Sequence, residues 1–559
     1  MLGEVEVRPA DCVVVAGGQP RRIEPKVMDV LLALAESGGS TVSRERLVAR
    51  VWPRGYVTDD ALNRCISNLR TALGDTPKQP RYIVTVPRKG YRLAMAAVPL
   101  EKPGSRAGVL VLPFQNLSPA DDRYVVDALT ELLIARLAVA LDQPVISRTT
   151  AMSFRNSQRD LASISGQLGV RWAVEGSVMQ IGEQVQIVVQ LIDAVTDSHS
   201  WAETWTRPVG DMLTVLNEIS RLVVGRVRLE LGTREAAAVP EPSLPTDLLR
   251  PYLHGVYLNS KRTHAALRQA VACFDRVLQA VPDHVPALSG LAQSHVLLAH
   301  YGAVPAADGF GKARQYAEAA LALAPESDEP LAHLAAVNFF YDWDFEGAAR
   351  RIDRVLAIHP ANEIGRLMAA NIDAVNRRGE RALSHIDRAL EIDPLNIGLL
   401  MNSGDHLILQ HRFSEAAQAL EEALDIEPSF RPARLRLAMA YAFDGQQRDA
   451  LECLRMARAE GDEDAAYLEY LAIARGALGM LEAAGEAAEQ LQGLKGAVAP
   501  WSVARAWASA GEASLAVRYL QVAFEQRSSS IPFLGVTPVF SRLLELSEVR
   551  QLMEQAGLP

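Results

Sequence analysis

The spacing of apolar residues predicts an α+β fold for the first part of the chain, residues 1–97. Short apolar runs, EVEV and CVVVA, precede three helical patterns. The first pattern begins at Pro25, a residue favoured in the first helical turn, and Ser43 is placed to cap the second. The third ends before Gly74 and is followed by a strand–turn–strand pattern, YIVTV–PRKG–YRL. Three helices and a hairpin behind a small sheet indicate a winged helix.

The next part, residues 108–231, alternates between strand-like and helical patterns and predicts a mixed α/β domain. The run VLVLPF is typical of a buried strand, and an amphipathic helical pattern follows from Tyr124 to Ala140. Three consecutive strand patterns and a further helix complete the domain. Linkers are predicted at 98–107 and at 232–247, and the second of them is rich in proline, alanine and glutamate.

The remaining part, residues 248–559, is almost wholly helical, and its pattern repeats. Phrases that end in proline, such as ALEIDP and ALDIEP, recur at intervals of 35, 34 and 34 residues. A period of 34 residues is that of tetratricopeptide repeats, each of which is a helix–turn–helix unit. Small residues such as Gly404 and Ala416 fit the positions where the paired helices approach. We therefore predict a multidomain protein in which an all-α tetratricopeptide-repeat solenoid follows the winged helix and the α/β domain.

Two stripes of residues run along the third helical pattern, DDALNRCISNLRTAL. The apolar stripe has the i, i+4, i+7, i+11 spacing of a core-facing surface and consists of Leu62, Ile66, Leu69 and Leu73. The polar stripe lies on the opposite side and consists of Asp60, Arg64, Ser67, Asn68 and Thr71. A helix with such a polar face fits the major groove of DNA, where arginine bonds guanine and asparagine bonds adenine.

Further cations flank this polar stripe. Arg70 lies beside it and is expected to meet the DNA backbone, while Arg88 and Lys89 stand at the tip of the hairpin. Cations at such a tip can reach an adjacent minor groove or its phosphates. Residues 1–98 carry 15 Lys/Arg against 10 Asp/Glu, although the whole chain has a formal net charge of −10. A polar helix face alone is usually only solvated, but the basic hairpin and the order of the elements together favour DNA binding.

Two other classes of function compete with DNA binding. A scaffold whose winged helix binds protein would need an apolar or acidic recognition face, and the polar stripe is neither. An enzyme would need a catalytic pattern, and the sequence shows no HExxH or GxSxG motif. The phrase DGFGKA at 308–313 superficially suggests a nucleotide loop, but it lacks the earlier glycine and the Ser/Thr after lysine. We predict that the protein is not an enzyme.

Cysteine usage and hydropathy bear on the compartment. The cysteines are far apart and form no metal-ligand cluster; they are Cys12, Cys65, Cys273 and Cys453. This spacing argues against a disulfide framework and against a metal site, and it favours a reduced compartment. No leader sequence and no membrane span are apparent. We therefore expect a cytoplasmic protein that needs no cofactor and has no membrane partner.

The phrases ISNLRTALGD and TVPRKGYRL carry a family resemblance. Residues 3–96 resemble the effector domain of OmpR/PhoB-type regulators and, more closely, ToxR/CadC/HilA-like regulators, which place this domain first. The resemblance implies that Asp60–Leu73 is the recognition helix and Arg88–Gly90 the wing. It also implies that the preceding loop touches RNA polymerase, with the candidate contacts Trp52, Arg54, Tyr56 and Thr58.

The α/β part also carries a resemblance. Its phrases VEGSVMQ and VQIVVQLIDAVTDSHSWAETW, within residues 107–230, resemble the TolB-amino-terminal-like domain, and this resemblance assigns no ligand. The sequence as a whole thus predicts a transcription regulator that binds double-stranded promoter DNA sequence-specifically. Self-association on DNA is expected, because domains of this type bind tandem half-sites. The repeat array is expected to capture a protein or peptide that the sequence does not identify.

Overall fold

The computed structural model divides into two compact units, Met1–Ser105 and Arg106–Pro559. The structure describes residues 5–8, 13–16, 19–35, 41–51, 59–75, 81–86, 89–94, 108–118, 123–141, 143–155, 160–231, 244–461, 464–494 and 498–559.

The first unit is a winged helix, as the hydrophobic pattern predicts. Its elements are β1 (Glu6–Arg8), β2 (Val13–Ala16), β3 (Gln19–Arg22), α1 (Pro25–Ala35), α2 (Arg44–Val51), α3 (Asp59–Leu73), β4 (Ile83–Val86) and β5 (Gly90–Leu93). Strands β1, β2 and β3 form an antiparallel sheet in that order, and β4 pairs with β5 as a hairpin. The Ser43 hydroxyl accepts the Arg46 N–H at 3.2 Å and so caps α2 as predicted.

The apolar stripe of α3 supplies much of the core of this unit. Leu62, Ile66, Leu69 and Leu73 are each at most 2% exposed. They pack in one cluster with apolar residues of α1 and of the hairpin, including Leu34 and Ile83. Because this stripe faces the core, the other side of α3 points away from it.

The second unit begins with an α/β part. Its elements are β6 (Gly108–Val111), β7 (Gln115–Asn116), α4 (Arg123–Ala140), α5 (Arg148–Ser153), α6 (Leu161–Leu168), β8 (Val170–Ile181), β9 (Gln184–Asp193), β10 (Ser198–Pro208) and α7 (Met212–Leu231). The sheet has the order β10–β9–β8–β6, and β7 also pairs with β8. Strands β6 and β7 run parallel to β8, whereas β9 is antiparallel to both β8 and β10.

Eight helix pairs and a last helix follow in the described part of the chain. They are α8 (Thr246–Lys261), α9 (His264–Ala280), α10 (Val285–His300), α11 (Ala306–Leu323), α12 (Asp328–Val337), α13 (Phe345–Ile358), α14 (Glu363–Val375), α15 (Gly379–Ile392), α16 (Ile397–Leu409), α17 (Phe413–Ile426), α18 (Arg431–Phe443), α19 (Gln447–Ala459), α20 (Ala465–Ala477), α21 (Leu481–Gln492), α22 (Pro500–Ser509), α23 (Ala513–Glu525) and α24 (Ser547–Gln555). Among the described helices, none combines the length and the hydropathy needed to cross a membrane.

The small residues of the repeats lie where the paired helices approach each other, as the pattern predicts. A Cβ atom on Gly404 of α16 would lie 2.7 Å from the Leu420 side chain of α17, so only glycine lets these helices approach as closely as they do. Ala416 and Ala423 of α17 are fully buried. Tight helix pairing therefore depends on small side chains at fixed positions of the repeat.

The α/β part and the first repeats share one hydrophobic core. Leu129 of α4, Leu253 of α8 and Phe274 of α9 belong to the same cluster of buried residues. A polar contact extends this interface farther along the array, since the Ser147 N–H donates to Asp393 at 3.2 Å. The boundaries of the predicted domains stay predictions, because the linkers at 98–107 and 232–247 lie wholly or largely outside the described residues.

Candidate nucleic-acid interface

The polar stripe of α3 is exposed wherever its side chains are described. Arg64, Ser67, Asn68 and Thr71 are all exposed. The Thr71 hydroxyl donates to the Ser67 carbonyl at 3.1 Å, one turn earlier, and its oxygen can still accept a hydrogen bond. Asp60 belongs to the same helix, and its side chain lies outside the described residues. The helix thus presents a guanidinium, an amide and two hydroxyls opposite its buried stripe.

Arg70 is placed differently from the residues of the polar stripe. Its Nη2 donates to the Ile83 carbonyl at 3.0 Å and to the Thr85 hydroxyl at 2.8 Å. These bonds tie the last turn of α3 to strand β4, so they favour a positioning role for Arg70. The predicted contact between Arg70 and the DNA backbone stays a prediction.

The wing turns tightly beside α2. Lys89 is exposed, and its backbone N–H donates to the Val86 carbonyl at 3.0 Å, which closes the turn. Gly90 has a φ of +138°, and a Cβ atom there would lie 2.0 Å from the Val42 carbonyl oxygen. Only glycine fits this position, because two backbone hydrogen bonds between Val42 and the next residue, Tyr91, hold the chains together, with N···O distances of 2.8 and 3.0 Å. Among the other predicted contacts, Arg88, Trp52, Arg54, Tyr56 and Thr58 lie outside the described residues.

Asp75 holds the start of the wing, a role that the sequence pattern did not reveal. Its side chain is 7% exposed, and its carboxylate accepts the backbone N–H groups of Arg81 at 2.7 Å, Tyr82 at 3.1 Å and Ile83 at 2.7 Å. The bonds from Tyr82 and Ile83 are buried, so the carboxylate satisfies two donors that would otherwise be buried without partners, and a third at partly exposed Arg81. The only sequence signal is an aspartate directly after the Gly74 at the helix end.

A second group of residues joins α2, α3 and β5. The guanidinium of Arg44 donates to the Tyr91 hydroxyl at 2.8 Å and to Asn63 Oδ1 at 2.7 Å. The Tyr91 hydroxyl also donates to Asn63 Oδ1 at 3.2 Å. This network fixes the wing relative to the recognition helix at the exposed side of the unit. No periodicity in the sequence connects its members.

Cys65 lies within α3 but faces the core. Burial raises the pKa of its thiol, and the carboxylates of Glu24 and Asp29 raise it further. The side chain therefore stays a neutral thiol and packs as a small apolar residue.

Comparisons with known proteins agree with this geometry. Residues 18–93 match the family described as transcriptional regulatory protein, C terminal, and residues 407–473 match the tetratricopeptide repeat. The first unit is therefore an OmpR/PhoB-type DNA-binding domain, and the chain carries tetratricopeptide repeats in its C-terminal region. The comparisons do not confirm the predicted TolB-amino-terminal-like character of residues 107–230, which stays a prediction.

The similar curated proteins include transcriptional regulators. The chain is 22% identical to the transcriptional regulator HilA of Salmonella typhimurium over 413 residues, which are 73% of this chain and 67% of HilA. It is 35% identical to the transcriptional activator CadC of Escherichia coli over 98 residues, 17% of this chain and 19% of CadC. A putative adenylate cyclase 3 of Rhizobium meliloti is 32% identical over 142 residues, 25% of this chain and 24% of the cyclase. The chain is thus homologous to transcription regulators, although it spans only about a quarter of the cyclase.

Proposed function

We propose that this protein is a sequence-specific transcription regulator that reads promoter DNA with α3 and its wing. The observation that carries the proposal is the division of α3 into two faces. Leu62, Ile66 and Leu69 are buried, while Arg64 and Asn68, the residue types that read guanine and adenine, are exposed together. The match to the regulator family supports the same conclusion.

The proposal divides the contacts into two kinds. Arg64, Ser67, Asn68 and Thr71 meet base edges in the major groove, and Asp60 stands at the entrance of this helix. Lys89 and Arg88 meet phosphates or the minor groove from the wing. Base contacts specify the sequence, whereas phosphate contacts add affinity that does not depend on it.

Further parts of the proposal concern partners. The loop that holds Trp52, Arg54, Tyr56 and Thr58 contacts RNA polymerase, and two copies of the chain associate on tandem half-sites. The repeat array binds a protein or peptide and regulates without catalysis in the cytoplasm. The homologous regulators and the repeat match support a regulatory, protein-binding role.

The test uses the full chain and a library of promoter fragments. Arg64→Ala should cost ~1–3 kcal/mol on the preferred fragment and little on random DNA, because a base contact is lost. Lys89→Ala should weaken binding to all fragments alike and lower the slope of log affinity against log salt by about one. Arg518→Ala, which removes an exposed cation of α23 in the second unit, is the matched control and should leave both slope and preference unchanged.

The outcomes separate regulator from scaffold. Equal loss on preferred and random DNA for both Arg64→Ala and Lys89→Ala would remove the division of contacts. An unmodified chain that binds no duplex at moderate salt would overturn DNA binding itself and favour a winged helix that binds protein.

A further inference from the structure

Two parts of the repeat array that are distant in sequence meet in space. Beyond the end of α23, the hydroxyl of Ser529 donates to the His300 carbonyl at 3.1 Å. Arg527 Nη1 donates to the Tyr341 carbonyl at 3.0 Å, across a separation of 186 residues. Residues 524–536, here called the tail segment, therefore return to the turns that follow α10 and α12.

The tail segment packs on an aromatic rim formed by Phe339, Tyr341 and Trp343. The guanidinium carbon of Arg527 lies 4.1 Å from the ring centre of Trp343 and 5.9 Å from that of Tyr341. A cation over aromatic faces is attracted by their quadrupoles, most strongly for tryptophan. The ring of Phe533 lies 5.7 Å from that of Phe339, between centroids. The ring of Phe524 lies 4.9 Å from that of Trp343, between centroids. One arginine and two aromatic rings of the tail segment thus meet the rim.

Trp343 occupies a backbone position that suits glycine better. Its φ is +61°; the corresponding turns of the next two repeats hold Arg377 and His411 at +57° and +60°, and three later turns hold Gly445, Gly479 and Gly511 at +78°, +78° and +84°. A bulky residue in this left-handed region costs of order 1–3 kcal/mol. A π-helical turn, Asn338–Asp342, leads directly into it, and such turns are frequent at functional sites. The contacts of Trp343 with Arg527 and with the Phe524 ring offset part of this cost.

The contact between the tail segment and the aromatic rim leaves the Trp343 indole N–H without a hydrogen-bond acceptor among the described residues. The indole Nε1 of Trp343 is buried and has no hydrogen-bond partner in the described part of the chain. Burying an unpaired N–H costs of order 1–3 kcal/mol. A segment that offered a carbonyl oxygen to this indole while keeping the other contacts would bind the rim better than the tail segment does.

We propose that the aromatic rim is a docking site for a segment of a partner protein, and that the tail segment occupies it in cis. The tail segment defines the chemistry of the partner: an arginine over Trp343, a hydroxyl that reaches the His300 carbonyl and an aromatic ring against Phe339. The proposal rests on the proposed protein-binding role of the array and names the surface and the partner chemistry. Because the tail segment is tethered, a free segment must compete with a high local concentration of it.

The experiment uses the full chain and a fluorescent synthetic peptide that copies residues 524–536. Arg527→Glu reverses the charge over the rim, so hydrogen exchange should become faster in residues 338–344 and 526–536 together. The peptide should then bind this variant roughly tenfold or more tightly than the unmodified chain, whose rim is occupied. Arg518→Glu, an exposed change on α23, is the control and should behave like the unmodified chain. A peptide that carries Glu in place of its own arginine should not bind.

Two outcomes would overturn the proposal. One is an Arg527→Glu chain in which both segments exchange faster and the peptide still does not bind. The other is an Arg527→Glu chain in which both segments stay protected. If this variant does not fold, Trp343→Gly is used instead. The proposal predicts that hydrogen exchange of its tail segment becomes faster and that the peptide does not bind. A tail segment that exchanges as slowly as in the unmodified chain contradicts the proposal. No DNA is present, so failure of promoter binding does not affect the result.

Discussion

Replacing Asp75 by asparagine tests how the wing is held to the recognition helix. In the structure Oδ1 accepts the Arg81 N–H, and Oδ2 accepts those of Tyr82 and Ile83. An asparagine oxygen can keep the bonds to Tyr82 and Ile83, but without the negative charge. Its NH₂ group then faces the Arg81 N–H, donor against donor.

The magnitude follows from the bonds that are weakened or lost. A hydrogen bond to a charged group contributes ~1.5–3 kcal/mol, a neutral one ~1 kcal/mol, and an unsatisfied buried N–H costs ~1–3 kcal/mol. We therefore expect Asp75→Asn to lower the free energy of unfolding of the first unit by about 2–4 kcal/mol. That is a large fraction of the ~5–15 kcal/mol that stabilises an ordinary domain.

Hydrogen exchange of the full chain measures this loss locally. Amides of β4 and α3 should exchange roughly 30- to 1,000-fold faster in Asp75→Asn, since about 1.4 kcal/mol corresponds to a factor of ten. Asp29→Asn is the control, because Asp29 is 44% exposed and its ion pair with Lys26 contributes only ~0–1 kcal/mol. Equal exchange rates in the two variants would refute the role assigned to Asp75.

Three further changes test other parts of the structure. Gly90→Ala places a methyl group 2.0 Å from the Val42 oxygen. The variant should lose ~3–5 kcal/mol of stability and should not bind DNA. Thermal unfolding measures the first effect, and a DNA titration measures the second. His284 caps α10 with Nδ1, and burial lowers its pKa to about 4 from 6.5. Between pH 6.5 and 4 the His284 side chain is protonated in the unfolded chain but not in the folded chain, so stability falls as pH drops from 6.5 toward 4. His284→Asn keeps the cap and should remove about 2–3 kcal/mol of the loss between pH 7.5 and 4.5 in urea titrations; an unchanged loss contradicts this. Asp393→Ala leaves the Ser147 N–H without its acceptor, at a cost of ~1–3 kcal/mol, so hydrogen exchange around Ser147 should become faster. Unchanged exchange would show that this contact does not hold the α/β part.

Local periodicity predicted α3 and its two faces well, because a helix brings residues four apart in sequence onto one face. The buried stripe with Leu62 and Leu69 and the exposed stripe with Arg64 and Asn68 both follow from this spacing. The same holds for the repeats, whose Gly404 is dictated by its closeness to the facing helix. Features that depend on neighbours in sequence were therefore predictable.

Features that depend on partners distant in sequence could not be predicted. Arg44 meets Tyr91 across 47 positions, and Asp75 accepts hydrogen bonds from the backbone of Arg81, Tyr82 and Ile83, six to eight positions later. Helical spacing placed Arg70 only beside the polar stripe and gave no sign of its bonds to Ile83 and Thr85. The contact of the tail segment with the aromatic rim leaves no such signal in the sequence, because the turn position of Trp343 is filled by Arg377 and His411 in the next two repeats and by glycine only in later ones.

The shared core of the α/β part and the first repeats limits how such genes can be shuffled. A crossover near 232–247 would separate Leu129 from Leu253 and Phe274, so each parental half would meet a surface shaped for another partner. A crossover ahead of residue 106 would fall at the boundary between the two compact units. We expect natural and engineered hybrids to exchange the DNA-reading unit freely while inheriting the α/β part and α8–α10 together.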